Sequence, residues 1–110
     1  MILKYDAEID NAAVVHNLKR ITNQIYKLLP MREEGEDWKK PLATLLEELA
    51  GIDNLLIDQH IILFPLMSKM EGLFIVGDDD FMLYRRVIFE CLGLMDKLIK
   101  SCQLKQWEQD

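Results

Sequence analysis

The segment from Asp79 to Cys102 constrains this chain more than any other. Its apolar residues recur at alternating steps of three and four, which is the spacing of one face of an α-helix. The members of this stripe are Phe81, Tyr84, Ile88, Cys91, Met95, Leu98 and Cys102. One face sustained for about six turns predicts a long amphipathic helix packed against other helices, and therefore an all-α fold.

A second long helix is predicted near the amino terminus. Asp10 or Asn11 suits its N-cap, and Pro30 predicts its end, because the residue before a proline avoids helical geometry. The apolar stripe between them consists of Val14, Leu18, Ile21, Ile25 and Leu28. This segment is predicted to be helical over about residues 11–29.

A third helix is predicted to begin between Trp38 and Pro41, because proline is favoured in a first helical turn. Its inner face consists of Leu42, Leu45, Leu46, Leu49, Ile52 and Leu56. Gly51 either ends this helix or weakens it. A break at Gly51, with Asp53 capping the next helix, is favoured, because an unpaired carboxylate on the inner face would be costly. The alternative is that Asp53 pairs with a cation such as Arg85 or Arg86.

Residues 52–77 give the least regular pattern. Asp53 or Asp58 could cap a new helix, and Pro65 predicts a kink or a restart. A short helix would then end at Gly72, and the apolar residues 74–76 would form a brief strand-like piece before the acidic cap at 78–80.

The chain of 110 residues is predicted to be one domain, residues 1–110. The fold class is a small antiparallel helical bundle of about four helices, two of them long, at about 11–29 and 79–102. Residues 1–9 are predicted to be an N-terminal arm and residues 103–110 a frayed tail. The alternative is two helical hairpins that dimerise into a larger bundle.

Charge and hydropathy limit the partners of such a bundle. The chain carries 13 basic and 19 acidic residues, a net charge of −6, which argues against direct binding to nucleic acid or to an anionic membrane. Its first residues lack the apolar core of a signal peptide, and its longest apolar run is too short to span a bilayer. The chain is therefore predicted to be cytoplasmic.

Candidate chemical groups are few, and no catalytic residue, metal site or cofactor is predicted. His16 lies among cations, and His60 has no second ligand at helical spacing. Cys91 and Cys102 are eleven residues apart on one helix, about 16 Å, so they cannot form a disulfide with each other. Both lie on the apolar stripe, where thiols are inert.

The sequence Glu47-Glu48 resembles part of the acidic helix of the all-α nucleotide pyrophosphohydrolases. That family holds magnesium with a Glu-Glu-x-x-Glu helix and a Glu-x-x-Asp helix. In this chain Gly51 stands in the third acidic place, and no Glu-x-x-Asp follows. The run 78–80 is interpreted as a helix cap with favourable charge rather than as half of a calcium site.

The strongest functional signal is a second stripe on the last helix. Met82 and Phe89 are seven residues apart on its polar side, beside Arg85 and Arg86, and Trp107 extends the line if the helix continues. Either another helix of the chain or another molecule must cover this stripe. The simplest covering molecule is a second copy related by a two-fold axis.

Three functions are compatible with these features. The first is a non-enzymatic interaction or regulatory protein that acts as a homodimer or complex subunit. The second is an acidic inhibitor of a nucleic-acid-processing enzyme, of the kind that phages and mobile elements encode. Its contact surface would comprise Glu33, Glu34, Glu36, Asp37, Glu47 and Glu48. The third is a metal-dependent hydrolase with a degenerate carboxylate site.

Overall fold

Four α-helices make up the fold of this protein, which we describe from a computed structural model. The structure describes residues 11–56 and 58–109, with side chains for 12–56 and 58–103. The helices are α1 (Asn11–Glu33), α2 (Lys39–Leu55), α3 (His60–Val76) and α4 (Phe81–Gln109). No helix within these ranges is long and apolar enough to cross a membrane. The predicted all-α class is confirmed, while the arm predicted for residues 1–9 lies outside the described residues.

The helices form a ring in which each packs against its neighbours in sequence, and α4 closes the ring against α1. Short connections force consecutive helices to run antiparallel. At one end, Arg32 near the end of α1 contacts Phe81 near the start of α4, and Trp38 before α2 contacts Phe74 near the end of α3. One chain therefore completes the antiparallel bundle, and a second hairpin is not needed.

The core is built from the predicted stripes. The long stripe of α4 is buried from Tyr84 to Cys102, and Phe81 at its start is half-buried. The other buried members of the predicted set are Leu18, Ile21, Ile25, Leu28, Leu42, Leu45, Leu49 and Leu56. Within this apolar interior the Tyr84 hydroxyl donates a hydrogen bond of 2.7 Å to the Leu28 carbonyl. Burial raises the pKa of Tyr84 well above its usual value, so the phenol stays a donor and fixes α4 against α1.

One end of the bundle is closed by an aromatic cluster around Trp38. The indole meets the Tyr84 ring edge-on at 5.0 Å between centroids. The Arg32 guanidinium lies 5.8 Å from the centroid of the same tyrosine ring, and its Nε donates a 2.5 Å hydrogen bond to the Gly77 carbonyl. Gly77 is required here, because a Cβ at this position would overlap the Trp38 ring.

The predicted end of α1 before Pro30 is wrong, because the helix continues through Pro30 to Glu33. A proline inside a helix removes one hydrogen bond and crowds the preceding turn. Here the next turn makes compensating contacts: Met31 packs against the core and Arg32 binds Gly77. Tertiary contacts therefore carry α1 beyond its proline.

The break favoured at Gly51 is also wrong, since α2 continues to Leu55. Asp53 does not cap a new helix, and its partner is neither Arg85 nor Arg86. Its Oδ1 lies 2.8 Å from Nδ1 of His60, the first residue of α3. Pairing across the α2–α3 connection satisfies a carboxylate that is only 14% exposed, so the helix need not end to solvate it.

The helix end predicted at Gly72 and the strand predicted at 74–76 are wrong as well. Pro65 and Gly72 both lie inside α3, and the supposed strand at 74–76 is its last turn. An apolar run of this kind cannot be assigned to helix or strand from periodicity alone. In the structure Leu73 is buried, and Phe74 stacks on Trp38 at 6.5 Å between ring centroids, so packing decides for helix.

The last helix begins as predicted and ends later. Asp80 accepts a hydrogen bond of 3.1 Å from the backbone nitrogen of Leu83, which confirms a capping role for the acidic run. The backbone of α4 then stays helical to Gln109, beyond the boundary predicted at 102, through residues predicted as a tail.

Two glycines provide a matched test of this packing. A Cβ at Gly51, inside α2, would meet nothing within 4 Å. Gly51→Ala should therefore raise the free energy of unfolding by about 0.5–1 kcal/mol, the helix preference of alanine over glycine. Gly77→Ala should lower it by about 1–3 kcal/mol, because the new methyl group displaces Trp38. Urea denaturation of both variants measures the difference, and equal shifts would contradict the Trp38 contact.

The two cysteines on the α4 stripe test the burial of its inner face. Neither side chain is exposed, and burial raises the pKa of Cys91 to about 12 and that of Cys102 to about 11. At neutral pH both thiols are protonated, and the thiolate is the reactive form. A thiol reagent should label the native protein far more slowly than the denatured protein. Fast native labelling of both would show that this face opens in solution.

Candidate protein-interaction surfaces

The second stripe of α4 is exposed in the structure. The side chain of Met82 is 69% exposed and that of Phe89 is 45% exposed. The Arg85 guanidinium lies over the Phe89 ring, 5.0 Å from its centroid, and Arg86 is exposed beside them. We call these four residues the α4 face. The helix backbone runs on through Trp107, but the side chain of that residue lies outside the described set.

A second apolar surface, on α3, was not predicted from the sequence. Ile61 is 81% exposed, Phe64 59% and Ile75 78%. Together with exposed Ser68 and Glu71 they follow steps of three and four along the outer side of α3. We call these five residues the α3 face. The available signal was the composition of residues 60–76, since a helix that is apolar all round must expose part of that surface when only one side is covered.

An ion pair flanks the α3 face on one side and a hydrogen-bonded pair flanks it on the other. Toward α4, Lys69 donates a 2.6 Å hydrogen bond to Glu90, which lowers the pKa of the glutamate and raises that of the lysine. Toward α2, His60 pairs with Asp53. These contacts occupy the seams between the helices and leave the outer side of α3 to solvent. The Lys69–Glu90 pair lies between the α3 face and the α4 face.

The acidic residues gather at the end of the bundle that holds Trp38. Arg32 joins the two connections at this end, because it binds the carbonyls of both Gly77 and Asp78. The exposed carboxylates of the last residue of α1 and of the two connections are Glu33, Glu34, Glu36, Asp37, Asp78, Asp79 and Asp80. We call this group the acidic end.

Three carboxylates of the acidic end also have structural contacts, among them Asp80, which caps α4. The Asp37 Oδ1 accepts a 3.1 Å hydrogen bond from the Lys39 backbone nitrogen, at the start of α2. Asp78 lies 2.5 Å from Lys39 Nζ, and that hydrogen bond lowers the pKa of Asp78. The glutamates of the α1–α2 connection are therefore the better candidates for contact with a partner.

The predicted acidic surface is divided in the structure. Glu47 and Glu48 lie eight and nine residues along α2 from Lys39, about 12 Å from the acidic end by helical rise. Glu48 forms a 2.5 Å ion pair with Arg20 of α1, and Glu47 is exposed. The pair therefore does not extend the acidic end into one continuous surface.

The histidines and carboxylates do not converge on a candidate metal centre within the described residues. His16 is exposed on α1, and His60 contacts Asp53. The orientation of the His60 ring is set by this contact and by the Phe64 ring, whose centroid lies 5.7 Å from that of His60. The His60 pair thus has a clear role in joining α2 to α3.

One apolar cavity lies at the opposite end of the bundle from Trp38. It has a volume of about 210 Å³ and is bordered by the start of α1 and the end of α2. Its lining residues are Ala13, Val14, Asn17, Ile52, Leu55 and Leu56. This volume is below the roughly 300 Å³ at which small-molecule sites usually begin, so the exposed faces are the stronger candidates for function.

Comparison with known proteins assigns no relative to this bundle. No family model, no curated protein and no solved structure matches the chain significantly. The surfaces are therefore interpreted from their own residues and contacts.

Proposed function

We propose that this chain is a non-enzymatic protein-interaction module that acts as a homodimer or as a subunit of a complex. The observation that carries the proposal is the exposure of Met82 and Phe89 beside Arg85 and Arg86 on the outer side of α4. Two buried, reduced thiols favour a reducing compartment such as the cytoplasm.

The composition of the α4 face suits a contact with another protein. Methionine, aromatic residues and arginine are enriched at interfaces, where aromatic and arginine side chains often provide much of the binding energy. Arg85 stacks on Phe89 and so covers part of the ring with an apolar stem while its charge stays at the surface. Arg86 adds a second charge at the rim, which favours a partner with an acidic or carbonyl-rich edge.

Affinity capture from the native cell, followed by mass spectrometry, tests this proposal. The bait pair is the wild type and the double variant Met82→Glu with Phe89→Glu. Proteins that bind the α4 face should be retained by the wild type and lost from the double variant, because carboxylates cannot enter an apolar contact without a large desolvation cost.

The matched control is His16→Glu with Asn23→Glu. These exposed residues of α1 are also seven apart, and the control adds the same two negative charges. It should retain the partners of the wild type. Equal capture by all three baits, each with unchanged helix content by circular dichroism, would contradict the α4 face as the contact.

A second candidate function is favoured by the acidic end. Seven exposed carboxylates on two joined connections could occupy the basic groove of a nucleic-acid-processing enzyme, as an inhibitor would. This contact would be mainly electrostatic, whereas a contact through the α4 face would be mainly apolar.

Salt and neutralising substitutions distinguish the two candidates. Binding through the acidic end should fall steeply as salt is raised, because exposed charges are screened. It should also be lost when Glu33, Glu34 and Glu36 are all changed to Gln, which leaves the capping residue Asp37 intact. Partners that resist high salt and the triple variant, but are lost with the α4-face variant, would contradict the inhibitor candidate.

A further inference from the structure

The α3 face has a different character from the α4 face. Its five positions, Ile61, Phe64, Ser68, Glu71 and Ile75, carry one charge, and its two isoleucines are the most exposed large apolar side chains described. The α4 face has two arginines among its four members. A partner for the α3 face must therefore offer apolar surface rather than complementary charge.

We propose that the α3 face binds the α3 face of a second copy, with the two helices antiparallel about a two-fold axis through Ser68. This inference rests on the proposed function of the chain as an interaction module, and it assigns the self-contact to α3. The α4 face then stays available for a different protein, whereas the sequence alone had favoured the Met82–Phe89 stripe for the second copy.

The spacing of the α3 face is self-complementary. Ser68 lies seven residues from Ile61 and seven residues from Ile75, so a two-fold axis at Ser68 places Ile61 of each copy opposite Ile75 of the other. An isologous contact requires this reciprocity. At the axis the small Ser68 side chains meet each other, which allows the helices to approach closely.

Phe64 also finds a complementary position. Under the same symmetry it comes level with residue 72 of the other copy, over the depression bordered by Ser68, Glu71, Gly72 and Ile75. Residues at these spacings form the hole that receives a knob in helix packing. Gly72 and Ser68 make this hole roomy, and a Cβ at Gly72 would meet nothing within 4 Å.

Charge favours a second copy as the occupant. Each chain carries −6, so two copies can associate only where few charges come together. The same register brings exposed Asp58 level with Asp78 of the other copy, whose carboxylate is already paired with Lys39. On the α3 face itself the two Glu71 side chains come six residues apart in register and so about 9 Å apart along the helices. That distance is close to the screening length of about 8 Å at physiological salt, so the repulsion is small.

The available area is sufficient for a weak dimer. α3 has 17 residues, about 26 Å of helix, and the bundle is 21 × 19 Å across. Exposed Ala43 and Ala50 of α2 have small side chains that let the contact spread beyond α3 itself, with exposed Glu47 between them at its edge. A contact that covered the whole side of the bundle, about 26 by 20 Å, would bury on the order of 1,000 Å² over two copies, the lower limit for a specific interface.

A cysteine on the axis gives the sharpest test. Purified Ser68→Cys protein under mild oxidation should form a disulfide-linked dimer roughly 100-fold faster than Asn23→Cys, an exposed control on α1. The dimer replaces a thiol concentration of about 10 µM by an effective concentration of about 1 mM. Phe89→Cys reports on the α4 face in the same assay. The native thiols are buried and contribute little.

Several results would overturn the proposal. Equal cross-linking of the Ser68 and Asn23 variants would show random collision, and faster cross-linking of the Phe89 variant would place the second copy on the α4 face. Ser68→Cys is a small exposed change, so its result does not depend on a variant that fails to fold.

Mass in solution is the second readout. The wild type should sediment as a dimer at tens of micromolar, and Ile61→Glu with Ile75→Glu should sediment as a monomer of 12.9 kDa. The control His16→Glu with Asn23→Glu should stay dimeric. A monomeric wild type would overturn the α3 contact. It would leave the captured partners of the α4 face unaffected, so the two proposals fail separately.

Discussion

The contact between Trp38 and Tyr84 is the interaction on which the arrangement of all four helices depends. Trp38 precedes α2, stacks on Phe74 of α3 and meets Tyr84 of α4 edge-on. Tyr84 in turn donates its hydroxyl to Leu28 of α1. Each helix of the ring has one residue in or next to it that takes part in these contacts, so the cluster fixes the positions of the helices along the axis of the bundle. Those positions determine which side chains lie together at the surface.

The cluster also explains why apolar residues remain outside. Once α3 is held at this height, Leu63, Leu66, Met70 and Leu73 fill the centre of the bundle, and the opposite side of the same helix has no neighbour. A ring of four helices can cover only one side of each member. Ile61, Phe64 and Ile75 are therefore left in water by the geometry of the ring, although the helix is apolar on nearly every side.

The sequence correctly predicted the helices that follow from the spacing of apolar residues. It gave wrong helix ends where a single residue opposes that helical pattern. The stripes of α1 and α4 give the core, and Met82 and Phe89 stand out against them. Pro30 and Gly51 were interpreted as helix ends because their local preferences oppose a helix. The contact of Arg32 with Gly77 and that of Asp53 with His60 outweigh those preferences. The α3 face was missed because Pro65 and Gly72 were interpreted as breaks and residues 74–76 were assigned to a strand. Its regular spacing appears only when α3 is one continuous helix.

The distribution of charge links these surfaces to assembly. Seven exposed carboxylates surround the end that holds Trp38, so two copies that approached through this end would repel each other. The proposed contact between copies is therefore placed on a side of the bundle. Of the two apolar sides, the α4 face carries Arg85 and Arg86, which suit a partner of opposite charge. The α3 face carries only Glu71, which is why we propose it as the side on which a chain of net charge −6 meets its own copy.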